Sequence, residues 1–189
     1  VDGALLRLGD DAAHLEEDEA RRLSILREAV EASAEVLDIA PNWANAWYVH
    51  GTALRCYSQN ISVVKALAQG MGGKVRDCLQ RALELEPGHA DAHVGLGVYC
   101  AEVIDKVGAM VGALSYGVRK EAVVDHFETA IELHAQSPVV LAEYARAIQL
   151  VDGGAGAGRA YEIYAAAAAC QPAGALERLG VERARSEIG

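Results

Sequence analysis

The chain is short of bases. It carries 17 Lys and Arg against 27 Asp and Glu, a net charge of −10. Binding a phosphate backbone needs clustered Lys and Arg, so this balance argues against a nucleic-acid partner. Most of the excess lies between Asp10 and Asp38. That stretch holds ten acids (Asp10, Asp11, Glu16, Glu17, Asp18, Glu19, Glu28, Glu31, Glu35, Asp38) and three bases (Arg21, Arg22, Arg27). Such a run reads as a solvated helix face. No apolar run is long enough to span a membrane, and no signal-peptide pattern opens the chain. Val1 is not expected to be a natural start, so the missing signal decides nothing about localisation. Alternating strand patterns are absent too, and Gly and Pro fall between helical patterns rather than at hairpin spacing.

Reactive motifs are equally scarce. There is no Gly-x-Ser-x-Gly, no His-Glu-x-x-His and no cysteine–histidine signature. A carboxylate pair such as Glu102 and Asp105 keeps acid–base chemistry open, because sequence does not give the separation. No C-x-x-C occurs. Cys56, Cys78, Cys100 and Cys170 stand apart, each among apolar or small residues. They read as free thiols in a reducing compartment, which points to the cytoplasm. Spacing does not reveal pairing, so an oxidising compartment stays open.

What the chain does have is repetition. Val36-Leu37-Asp38-Ile39-Ala40-Pro41, Ala82-Leu83-Glu84-Leu85-Glu86-Pro87 and Ala130-Ile131-Glu132-Leu133-His134-Ala135 follow one template. Each precedes a polar turn and a small-residue helix start. The step is 46 residues from Pro41 to Pro87 and 48 from Pro87 to Ala135. Periods of this size signal helical pairs that bury their apolar faces by stacking on neighbours. The B-helix positions Val75, Leu79, Ala82, Leu83 and Leu85 map to Val123, Phe127, Ala130, Ile131 and Leu133. The A-helix positions Ala46, Trp47, Gly51 and Leu54 map to Ala92, His93, Gly97 and Cys100, then to Val140, Leu141, Ala145 and Ile148. Asp18 to Ala40 has period 3.6, Asn42 can cap the next helix, and Ser137-Pro138 marks another start. Leu79, Leu83, Phe127 and Ile131 are expected to be buried between helices.

Trp47 with Gly51, Ala82 with Pro87, Leu96-Gly97, Phe127 and Ala130 give the chain a resemblance to the tetratricopeptide repeat family, over about Val36 to Cys170. The ordinary repeat is about 34 residues. Here each repeat is longer by an apolar, glycine-bearing insertion between its A and B helices, at about Ser58 to Gly73 and Val103 to Gly117. Enlarged repeats of this kind are similar to the T-component proteins of tripartite periplasmic transporters and to regulators of microtubule dynamics. Pro172 to Leu179 resembles the closing helix of the bacterial proteins. The T-component resemblance implies a periplasmic partner of a solute-binding protein, an oligomer and a hydrophobic ligand channel.

The expectation is an all-α, right-handed α-solenoid of about three enlarged helical hairpins. One domain spans 1–189: an acidic helical region at 1–41, a repeat core at 42–171 and a capping helix at 172–189. The function expected is non-enzymatic binding of a protein or peptide, with room for a hydrophobic small molecule and for a homo-oligomer, and with no cofactor. By the family's register the concave face shows Asn45, Tyr48, Thr52, Arg55, Asp91, Val94, Val98, Glu102, Glu143 and Arg146. The insertions offer Val64, Leu67, Met71, Val107, Met110, Val111 and Leu114 as an apolar groove, a subunit contact or plain core. The rival is a metal-binding protein or enzyme built on His89 and His93, which share a helical face at i, i+4. His93 also holds the repeat's aromatic position, where packing suffices. Gly153 to Gly158 reads as a flexible link rather than a phosphate loop, since no strand and no Gly-Lys-Ser/Thr accompany it.

Overall fold

Asp18 opens the first helix. Its carboxylate accepts the backbone N–H groups of Ala20 and Arg21 at 2.9 and 3.1 Å, satisfying two donors that the first turn leaves bare. A computed structural model describes residues 18–134 and 137–189. The acids Asp10, Asp11, Glu16 and Glu17 lie outside the described residues, as do Ala135 and Gln136 of the third template. The helices are α1 (Glu19–Ile39), α2 (Ala44–Gln59), α3 (Val63–Ala68), α4 (Met71–Leu85), α5 (Ala90–Val107), α6 (Lys120–Leu133), α7 (Pro138–Asp152), α8 (Ala157–Ala169) and α9 (Ala175–Ile188). No strand occurs among the described residues, and the fold is all-α. The chain divides into two compact units, one ending at Ala92 and one beginning at His93, where sequence reads a single domain.

In the first unit α2 packs against both α1 and α4. Leu26 of α1 is buried against Cys56 of α2. Helix α2 starts at Ala44, and its N-cap is Trp43, which makes no side-chain cap bond. Asn42 therefore does not cap it. The turn is held instead by the Trp47 indole, whose Nε1–H donates to the Pro41 carbonyl at 2.8 Å. The backbone of α2 closes on α4 at Gly51, where an added Cβ would stand 3.1 Å from the Cβ of Cys78 and 3.4 Å from Cγ of Leu79.

The second unit repeats that device. An added Cβ at Gly97 of α5 would stand 2.7 Å from the Phe127 ring of α6. Phe127 is fully buried and stacks on Tyr144 of α7, with centroids 5.0 Å apart and planes 17° apart. Arg159 of α8 lies 5.4 Å from the Tyr144 ring centroid and donates to its hydroxyl. Helix α8 packs against α7, and α9 packs against both. Gly180 of α9 faces the backbone at Pro138 and Val139, where an added Cβ would meet atoms at 3.0–3.1 Å.

Several sequence expectations change here. Leu79 and Phe127 are buried, but Leu83 and Ile131 are only half-buried. The buried stripe follows Val75, Leu79, Ala82 and Val123, Phe127, Ala130, and the two remaining side chains fall on its rim. Gly153 to Gly156 is a 3₁₀ turn running into α8 rather than a flexible link. Gly156 is buried there, with an added Cβ 2.9 Å from the Cβ of Asp152 and 3.0 Å from Ile148. In the closing helix, Leu176 and Leu179 are exposed, and Gly180, Val181 and Ala184 make the buried face. Each insertion forms its own helical piece. The first is α3, joined to α4 through Gly70 (φ 62°). The second is a turn at Ala109–Val111 leading into a π-helical turn at Gly112–Tyr116, between Gly108 (φ 81°) and Gly117 (φ 66°).

Candidate functional site

In the first unit, helical spacing puts Asn45, Tyr48, Thr52 and Arg55 on one side of α2, about 100° per residue apart in turn, away from Trp47, His50 and Leu54. All four are half-buried. Asn45 and Tyr48 are tied to His89. The His89 Nε2–H donates to Asn45 Oδ1 at 3.1 Å, and Nδ1 accepts the Ala92 backbone N–H at 3.2 Å. The His89 and Tyr48 rings lie 5.1 Å apart. Both ring nitrogens of His89 are thus committed, and neither is left to ligate a metal without breaking a bond.

His93 is paired differently from the sequence expectation. Its Nδ1 stands 3.0 Å from Nδ1 of His126 in α6. Two nitrogens at that distance can share one proton but cannot comfortably hold two. Among the described residues no group of three or more His, Cys, Asp or Glu side chains could hold a metal ion. No disulfide links Cys56, Cys78, Cys100 and Cys170. Burial pushes the thiols of Cys78 and Cys100 up to about 11, which leaves them poor nucleophiles near neutrality.

Three polar residues from the expected surface converge in the second unit. Arg146 donates to Glu143 Oε2 through Nε and Nη2 at 3.1 and 2.9 Å, and its Nη2 lies 3.7 Å from Glu102 Oε1. Arg183 of α9 donates to the other Glu143 oxygen at 2.8 Å. Sequence spacing gave no hint of Arg183, because 40 residues separate it from Glu143. Asp91 is exposed and Val94 half-buried, whereas Val98 is buried and lines no surface. Among the insertion residues Val64, Leu67, Val107, Met110, Val111 and Leu114 are exposed, and Met71 is buried at the start of α4.

The first unit also holds an open groove of about 770 Å³ between α1, α2 and α4. Val30, Leu37, Trp47 and Leu54 supply apolar walls, and Lys74, Arg81 and Glu84 stand along α4. The exposed insertion residues do not line it. At its edge lies His50, whose Nδ1 is 2.9 Å from the hydroxyl of buried Ser33. That hydroxyl donates to the Val30 carbonyl, so its oxygen accepts from His50 Nδ1–H.

These histidines set a pH response. Burial holds His50 below the ordinary imidazole value of 6.5. Burial, then the neighbouring His93, hold His126 below it, against a smaller opposing pull from Asp125. The unfolded chain takes up these protons first, so the neutral rings contribute stability above pH 6.5 that is lost as pH falls toward the lowered native values. Thermal melting should therefore be level above about pH 7 and decline between about pH 6.5 and 5, before most carboxylates titrate. His126→Gln should flatten part of that decline. A melting temperature constant across the window would contradict the burial of these rings. No family model and no curated protein matches the chain.

Proposed function

We propose that this chain is a non-enzymatic binding scaffold, a right-handed stack of about three enlarged hairpins of tetratricopeptide type that holds a protein or peptide. The observation that carries the reading is the recurrence of one packing device. A glycine of the A helix lies against a large side chain of the B helix, at Gly51 with Leu79 and again at Gly97 with Phe127. At i−3 and i+4 from Gly51, Tyr48 and Arg55 flank the closed contact and reach the surface only in part. Tyr48, Thr52 and Arg55 supply an aromatic ring, a hydroxyl and a guanidinium there, the groups that recognise peptide backbone and carboxylates.

Selection from a random peptide library tests this. Selected peptides should share a motif, and Tyr48→Ala with Arg55→Ala should weaken them by about tenfold or more, as loss of an aromatic or arginine anchor does. Peptides indifferent to both changes would remove the A-helix face from the proposal. The groove between α1, α2 and α4 favours a second reading, an apolar solute as in the T-component proteins, since Val30, Leu37, Trp47 and Leu54 line it. An apolar fluorescent probe displaced by Leu37→Glu but not by Arg55→Ala would favour that reading.

A further inference from the structure

The two insertions present the same exposed apolar pattern. Val63, Val64 and Leu67 stand at i, i+1 and i+4 in α3. Met110, Val111 and Leu114 stand at i, i+1 and i+4 in the second insertion, each 47 residues further on. Exposure reaches 78% at Val64, 66% at Leu67, 74% at Met110 and 82% at Leu114. Soluble proteins seldom leave such side chains in water without a contact for them. That the pattern recurs with the repeat makes chance exposure a poor account of it.

Charge says what the contact is. From Ile39 to Arg76 there is no acid, while Arg55, Lys65, Lys74 and Arg76 are present. From Lys106 to Lys120 there is again no acid, with Lys106, Arg119 and Lys120. Asp38 and Asp77 bound the first window and Asp105 and Glu121 the second; counting them, each tip still keeps an excess of bases in a chain whose net charge is −10. Arg76 and Lys120 are paired with Asp77 and Asp152. Lys65, Lys74, Lys106 and Arg119 are exposed.

We propose that each insertion is a tip that seats its apolar triad in the interface of an anionic lipid bilayer, with the flanking cations on the headgroups. Short helical pieces with apolar side chains and neighbouring Lys or Arg bind membranes this way, by shallow insertion plus attraction to anionic lipid. A bilayer imposes no shape on its guest. A specific protein interface takes about 20–30 residues a side, far more than three side chains on a short helix. The contact is superficial, because no helix among the described residues is long and apolar enough to cross a membrane.

Flotation with vesicles tests the proposal. The protein should float with phosphatidylcholine vesicles containing phosphatidylserine, more weakly without it, and less as salt rises. Leu67→Gln with Leu114→Gln should lower partitioning by at least about tenfold, since both remove apolar groups that leave water on binding. Helicity and melting should not change, because both side chains are exposed. The stronger set Val64→Glu, Leu67→Glu, Met110→Glu and Leu114→Glu should abolish flotation. Wild-type protein that stays with the buffer at low salt overturns the proposal, as does flotation that the glutamine pair leaves unaltered. Sedimentation in which wild type self-associates, the glutamine pair is monomeric and vesicles bind neither would assign the tips to a second copy of the chain and also overturn it.

Discussion

Phe127→Ala should lower the unfolding free energy of the second unit by about 3–5 kcal/mol, the range for emptying a packed aromatic position. The ring is fully buried and meets two surfaces that cannot easily follow it inward. On one side is the α5 backbone at Gly97, with no side chain to swing into the gap. The ring's stacking partner is Tyr144, 5.0 Å away centroid to centroid and anchored by Arg159. The stacked pair adds about 0.5–1.5 kcal/mol beyond area burial, which alanine also forfeits. Denaturant melts followed by helicity give the value. A loss below about 1 kcal/mol would mean that the α5–α6 register is wrong.

Gly97→Ala should destabilise the same unit by about 1–3 kcal/mol, although alanine is the better helix former. The added methyl would lie 2.7 and 2.8 Å from two Phe127 ring atoms. Full burial and the stack on Tyr144 leave the ring little room to shift. Gly73→Ala in α4 is the control, since nothing lies within 4 Å of an added Cβ there. It should be neutral or stabilising by up to about 1 kcal/mol. Opposite signs at two helical glycines would separate close packing from intrinsic propensity. Equal gains would show that α5 and α6 do not approach closely at Gly97.

The registers of the helices were legible because apolar periodicity reports which side faces a neighbour. Ala46, Gly51 and Leu54, with their partners Ala92, Gly97, Cys100 and Val140, Ala145, Ile148, are all buried. Trp47, His93 and Leu141, the fourth mapped set, are half-buried, because their position lies at the edge of the stripe. Side-chain partners over long separations were not legible. Spacing on one helix joined His93 to His89, but packing joins it to His126. Val98 looked available from the register that the family resemblance implies, and Met71 from its place in an apolar run; both are buried by elements that spacing does not locate. The Gly153–Gly156 segment reads as loose by composition, yet close approach to Ile148 is what calls for glycine there. Spacing alone puts Asn45, Tyr48, Thr52 and Arg55 on one helix side, whereas the ties of Asn45 and Tyr48 to His89, and of Glu143 to Arg183, were not legible.

The division into two units also has an optical side. The chain's two tryptophans, Trp43 and Trp47, both precede Ala92, so the unit beginning at His93 contains none. Trp47 donates its indole N–H to Pro41 beside the groove, so its emission reports the turn between α1 and α2. Indole emission therefore watches the first unit alone, while the amide ellipticity at 222 nm sums over every helix. In Phe127→Ala the two signals become separate clocks. A midpoint that moves in ellipticity and stays in emission would mark the units as independent, and a common shift would mark them as one cooperative body.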